Sequence, residues 1–288
     1  MSMPKSRKNY QSSVDSTPII QQVLRACKTA FDDMSVPSQA RSGAVSRLAE
    51  LMDRITAADV GLNRLTHENG LRDIEFVEIA DFLQFTVGIF LVPKGRKLPL
   101  HDHPGMTVMS KVLFGNIAIT NFDKVEYGQE VSDGDYRAPL ETVIKSNQRQ
   151  VSYTHGCEIL YPTSGGNIHE FLATEDAAVL DVLAPPYDCT CNRPCTYFRP
   201  VGVGAARPSP QPKVLHAGKC AVDAQLEDGS SAEENDPWNT GFIWPEIELV
   251  GVLEGETVWL LAQEAPTSFY TERREYTGTL LVHVVHVF

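Results

Sequence analysis

Apolar residues recur at three- and four-residue steps between residues 18 and 60, and then the rhythm changes. Ile20, Val23, Leu24, Cys27 and Phe31 fall on one face at helical spacing. Pro37 interrupts the run, and Val45, Leu48, Met52 and Ile55 resume it, which predicts two amphipathic helices. Thr56-Ala57-Ala58-Asp59 reads as a further helix start, with an acidic residue in its first turn. From about residue 74 the stretch IEFVEIADFLQFTVGIFLV is dense in β-branched and aromatic residues. MTVMSKVLF, NIAITNF, VSYTHGCEILY, AAVLDVLA, GETVWLLAQ and TLLVHVVHVF follow, separated by Gly, Pro, Asn and Asp. Many short strands with frequent turn signals predict a mainly β sandwich or barrel behind N-terminal helices.

Two segments lack this texture. MSMPKSRKNYQSS is basic and polar, without the apolar core of a secretory signal, and residues 1–17 are expected to be a disordered tail. Residues 200–237 are rich in Pro, Gly, Ser and acid and poor in aromatics. They predict a flexible insertion within one domain spanning 18–288, because strand patterns resume at Trp238.

Composition narrows the partners. The formal net charge of −12 disfavours binding to phosphate backbones, so no nucleic acid is expected. The longest apolar runs are too short to cross a bilayer, so no membrane partner is expected either. Six cysteines in 288 residues do not suggest a disulfide framework, and a reducing, intracellular location follows.

The candidate chemistry lies in LPLHDHPGM, residues 98–106. On a strand His101 and His103 point the same way and Asp102 the other. Two adjacent imidazoles inside a barrel make sense as neutral donors to one metal ion; two exposed histidines in a loop before Pro104 are the alternative. Gly95, His101, His103 and Gly115 match the first motif of the cupin barrels, G-x5-H-x-H-x4-E-x6-G, except that Val108 stands at the Glu position. Gly156, Pro162, Gly165-Gly166 and His169 resemble the second motif, which makes His169 the third ligand. His155 competes for that role but is expected at an exposed turn end, while His67, His216, His283 and His286 lack comparable context.

The absent Glu has a consequence. Three neutral imidazoles leave a divalent ion its full charge, whereas the two-His, one-carboxylate iron site does not. A substrate that brings its own negative charge, such as a thiolate, suits this site. No glycine-rich dinucleotide fingerprint stands in a βαβ setting.

LPLHDHPGMTVMSKVLFGNIAITNFD resembles the thiol dioxygenase family of cysteamine (2-aminoethanethiol) dioxygenase and the plant cysteine oxidases. The likeness extends through SGGNIHEF, VLDVLAPPYD, CTYF, VWLLAQEAPTSF and RREYTG. It implies a cupin-type, double-stranded β-helix barrel holding Fe(II) on His101, His103 and His169. It also implies addition of both atoms of O2 to a small thiol, or to the N-terminal cysteine of a protein, giving a sulfinic acid. Oxygen sensing by a monomer in the cytoplasm or nucleus goes with that activity. Asp181 and Tyr187 fall on the family's site residues in D-x-L-x-P-P-Y, and Cys195 and Tyr197 on a Cys-x-Tyr pair that cross-links in some members. Without the resemblance, Asp181 reads as an Asp capping the turn before Pro185-Pro186. Cys189, Cys191 and Cys195 supply three sulfurs but no obvious fourth zinc ligand, so exposed free thiols are expected. The alternative to an enzyme is a metal-binding or regulatory cupin without turnover.

Overall fold

The computed structural model describes residues 16–32, 38–62, 70–125, 140–145, 148–191, 193–206, 208, 211–212, 242–243, 247–249, 252–267 and 269–278. The expected tail up to residue 15, most of the expected insertion, TLLVHVVHVF, His67, His216, His283 and His286 lie outside these residues. Helices α1 (Ile19–Phe31) and α2 (Ser38–Arg54) form where the periodicity places them. The expected third helix is a single 3-10 turn, Ala57–Val60, because Gly61 turns left-handed at φ 75 and ends it. The Asp59 carboxylate accepts the Thr56 backbone N–H at 2.8 Å, as a capping box requires.

The strands are β1 (Ile74–Asp81), β2 (Thr86–Val92), β3 (Lys97–His101), β4 (Thr107–Phe114) and β5 (Asn116–Lys124). After them come β6 (Leu140–Lys145), β7 (Arg149–Ser152), β8 (Glu158–Leu160), β9 (Ile168–Ala173) and β10 (Ala177–Ala184). The last are β11 (Tyr197–Val203), β12 (Gln211–Pro212), β13 (Phe242–Ile243), β14 (Thr257–Gln263) and β15 (Thr271–Arg274). One sheet has the order β15-β1-β2-β10-β4-β8, and the other β6-β14-β11-β3-β9-β5-β7. From β2 to β5 and from β8 to β10 the chain alternates between the two sheets, which gives the cupin-type, mainly β architecture. Gly115 makes the β4–β5 crossing possible: it sits at φ 77, and a Cβ there would run into the Asp176 carbonyl.

Several boundaries differ from the sequence pattern. The long run from Ile74 folds back on itself through a Phe82–Phe85 turn, with Phe82 N–H donating to Phe85 O at 2.9 Å. VSYTHGCEILY is broken by a turn, so its two halves join opposite sheets as β7 and β8. The residues expected to begin an insertion at 200 continue β11 to Val203, and β11 pairs with β14 across the intervening segment.

Period-two alternation sorts the side chains. On β10, Ala178, Leu180, Val182 and Ala184 face outward into a core shared with Leu24, Phe31, Leu48 and Met52 of the helices. Ala177 and Val179 face the opposite way, into the space between the sheets, with Val112, Ile117, Ile119 and Phe171. On the second sheet β6 also pairs with β5, so that sheet curls on itself. The curl encloses a further core of Leu100, Phe122, Val143, Ile168, Phe198, Val258 and Leu260.

Leu48 is fully buried where α2 meets the first sheet. Leu48→Ala should therefore cost about 2–5 kcal/mol, read as a lower denaturation midpoint in urea with an unchanged slope.

Candidate metal centre

Strands β3 and β9 place His101 and His169 directly opposite each other in register. His103 lies two residues past the end of β3, so the expected strand does not carry both histidines of the pair. The reason is local: Pro104 has no N–H for a ladder, and the His103 N–H bonds to Asn167 Oδ1 at 3.1 Å instead of a strand carbonyl. Met106 N–H closes the turn onto His103 O at 3.1 Å. The three rings still converge. Their centroids are 4.7 Å apart for His101–His103, 5.0 Å for His101–His169 and 4.7 Å for His103–His169. One ring nitrogen from each lies within 4.8 Å of the others.

Backbone carbonyls pin two of the rings. His101 Nδ1 lies 2.7 Å from Pro99 O, and His103 Nδ1 lies 2.9 Å from Asn167 O. Each Nδ1 thus donates its proton and leaves the Nε2 lone pair for an ion. Asn167 also donates through Nδ2 to His103 O at 2.9 Å and to Tyr161 O at 3.0 Å. It is buried and positions His103 from both sides, a role the sequence reading missed. Its nearness to His169 in SGGNIHEF was the available signal. His169 itself stacks on Phe171 at 4.4 Å and 27°.

Burial decides the charge state. Desolvation lowers the protonation of His101, and it takes His103 to about 3 with help from His101. His169 is lowered well below the usual range by burial, then by His103 and His101. Three neutral, mutually facing imidazoles fit a borderline divalent cation. Among the described residues this is the one cluster of three or more His, Cys, Asp or Glu with such geometry, and it contains no carboxylate. Val108, at the cupin Glu position, is buried against Met106 and Leu160. The Asp102 carboxylate turns to the Thr196 N–H at 2.9 Å and to Lys124 Nζ at 3.8 Å.

The other candidates divide into two groups. Tyr187, Cys195 and Tyr197 stand against the cluster: the Tyr187 ring is 5.7 Å from His103, and the Tyr197 ring is 6.2 Å from His101. Tyr187 Oη donates to Asp102 O at 2.7 Å. The Cys195 thiol contacts both tyrosine hydroxyls; burial pushes it up to about 11, although the hydroxyls oppose this. Burial likewise raises Tyr187 well above its usual value. Asp181 lies in the middle of β10 and not at a turn, opposite Ser110 and Gly88, and Ser110 lines a small cavity together with His169. Desolvation raises its carboxyl to about 7, partly offset by the Ser110 hydroxyl. Cys189 and Cys191 are exposed on a short 3-10 turn. His155 is exposed in the β7–β8 turn, its Nδ1 accepting the Ser152 N–H at 3.0 Å. A cavity of about 830 Å³ lies on the far side of the second sheet, lined by Lys97, Pro99, Glu170 and Phe269 but by none of the three histidines.

Solved structures similar to this chain include KdgF from Halomonas sp., at TM-score 0.28 and 17% identity over 41% of this chain and 83% of that one. A cupin superfamily protein from Desulfitobacterium hafniense gives TM-score 0.29 and 10% identity over 40% and 83%. Among curated relatives, plant cysteine oxidase 1 of Arabidopsis thaliana is 34% identical over 215 residues, 69% of each chain. The 2-aminoethanethiol dioxygenase of Mus musculus is 28% identical over 249 residues, 79% of this chain and 94% of that one. The PCO_ADO family model matches residues 51–281, a span that contains all three histidines, and the chain belongs to that family.

Proposed function

We propose that the protein is an iron-dependent thiol dioxygenase that converts the thiol of an N-terminal cysteine, or of cysteamine, to a sulfinic acid. The observation that carries this reading is a cluster of three neutral imidazoles with no carboxylate, in a chain similar to cysteine oxidases and 2-aminoethanethiol dioxygenases. Ferrous iron held by His101, His103 and His169 would supply the Lewis acidity that turns a thiol into a thiolate and the electrons that activate dioxygen. The balance is RSH + O2 → RSO2H: two S–O bonds form, the O–O bond breaks, and the sulfur gives up four electrons.

The chain's own residues set the conditions. Three uncharged donors leave the dication's charge uncompensated, which selects a substrate arriving with a negative sulfur. Pro99 O and Asn167 O hold two rings in the tautomer that faces the ion. Tyr187, tied to the backbone of Asp102, fixes one wall, and Tyr197 and Cys195 fix the next. Asp181, with a carboxyl poised near neutrality, is suited to meet a substrate ammonium or settle a nearby water. In this reading the protein works as a monomer in the cytoplasm or nucleus and couples oxygen supply to the fate of N-terminal-cysteine proteins.

Three outcomes test the proposal. A Cys-initiating peptide or cysteamine incubated with iron-loaded protein in air should gain two oxygen atoms by mass spectrometry. With isotopically labelled O2 both should carry label, and label entering from water during turnover would contradict the reaction. His169→Ala should lower iron binding and O2 uptake by ~100-fold or more, with the thermal midpoint of the metal-free protein little changed.

Asp181→Asn tests the buried carboxyl through its pH linkage. A carboxyl raised in the folded state binds its proton where the unfolded chain has already lost it. The wild type therefore loses stability as pH rises from about 4 to about 7, and the loss is complete above that window. The Asn variant should match the wild type near pH 4 and exceed it by a few kcal/mol at pH 8, measured by chemical denaturation of the metal-free protein.

A further inference from the structure

The second hydrogen bonds of the three imidazoles are unequal. His101 and His103 each spend Nδ1 on a backbone carbonyl. Among the described residues neither ring nitrogen of His169 has a hydrogen-bond partner; its ring is held by stacking on Phe171. Stacking fixes a ring's plane but not which nitrogen carries the proton. A metal-ligating histidine almost always donates its other N–H to an oxygen, which fixes tautomer and orientation.

The surroundings of His169 supply what is missing. A cavity of about 20 Å³ lies beside the ring, lined by Ser110, Asn121, Gly165, His169 and the Arg149–Glu158 ion pair. One water needs roughly 10–15 Å³ of such space and two to four polar partners. Asn121 faces His169 directly across the β5–β9 ladder. Its Nδ2 is committed to Gly165 O at 3.3 Å, while its Oδ1 is buried without a partner. Asp181 Oδ1 is likewise buried and unpartnered, opposite Ser110. Buried acceptors without a partner are uncommon in a folded interior. The chain has also made room here: Gly166 stands at φ 84, and a Cβ on it would lie 2.7 Å from Asn121 Cγ.

We propose that this cavity binds one ordered water, which orients the third ligand as Pro99 O and Asn167 O orient the other two. The water accepts the N–H of His169 and donates to Asn121 Oδ1 and to the Ser110 hydroxyl, whose own proton goes to Asp181. Asn121 and Ser110 are thus positioning residues that act through His169. The inference rests on the metal-centre reading above and adds its missing support.

Crystals of the wild type and of Asn121→Leu, together with Co(II) affinity measured by competition on each metal-free protein, test the proposal. The wild type should show a water within hydrogen-bond distance of His169 and Asn121. Asn121→Leu fills the space and removes the acceptor. It should lack the water and bind Co(II) ~10–100-fold more weakly, with an altered Co(II) absorption spectrum and a thermal midpoint no lower than wild type. A purely structural role would lower the midpoint and leave the affinity of the folded fraction unchanged. Should Asn121→Leu fail to fold, Ser110→Ala removes one partner without adding bulk and should weaken Co(II) in the same direction. A dry cavity in the wild type, or unchanged Co(II) affinity in a folded variant, overturns the proposal. Normal Co(II) binding without thiol oxidation would count against the activity proposed above and leave this inference standing.

Discussion

Everything around the centre follows from keeping three imidazoles uncharged and close together. In water each would take up a proton near pH 6.5, and three such cations at this separation would repel one another. Burial removes that option before a metal arrives: His103 and His169 are 2% and 4% exposed. The cost is a set of polar rings inside an apolar barrel, and it is tolerable only where each ring nitrogen has a use. Backbone carbonyls serve this need without adding charge. A carboxylate would pin a ring as well, but it would favour the protonated imidazole and compete with the ion.

The fold meets this requirement through register. His101 and His169 are opposite residues of neighbouring strands, so their separation is set by the ladder and not by a flexible loop. His103 needs more support because the ladder has ended, and Asn167 provides it with three hydrogen bonds from backbone and side chain. The chain segment bearing Asn167 is itself held by Asp123, whose carboxylate accepts the N–H groups of Gly166 and Asn167 at 2.8 and 3.2 Å.

What the sequence revealed depended on whether a signal was local. Helices α1 and α2 were legible because one apolar stripe faces one sheet. Strand β10 was legible because both its faces are covered, so AAVLDVLA is apolar throughout apart from Asp181. Strands β3 and β9 were legible only through their histidine motifs, because the site writes polar residues into them: KLPLH carries a proline and IHEFLA carries His169 and Glu170. Strand β11 was disguised by Pro200 and Gly202, which stand at a register irregularity. Strand β15 is TERR, which no hydrophobic pattern marks; it joins β1 in parallel, with Arg274 meeting Glu75 at 2.9 Å and Arg273 meeting Glu78 at 3.5 Å. The histidines announced themselves by spacing, whereas Asn167 acts partly through its backbone and was marked only by its place two residues before His169. The mid-strand place of Asp181 depended on where β10 ends, which sequence leaves uncertain.

The outer face of the first sheet is covered by the helices, and that of the second is covered in part by the curled edge that encloses Phe122 and Ile168 and in part lines the cavity beside Pro99 and Glu170. Strand residues that alternate with His169 and Asn121 are therefore spent on a second core. Traffic to the imidazoles is thereby confined to the rims of the barrel, where turns and connecting segments meet. A scaffold built this way separates two kinds of evolutionary freedom. The ladder can stay constant while rim segments such as 161–166 and 185–191 lengthen, shorten or change charge, so the size of molecule admitted can drift without moving a ligand.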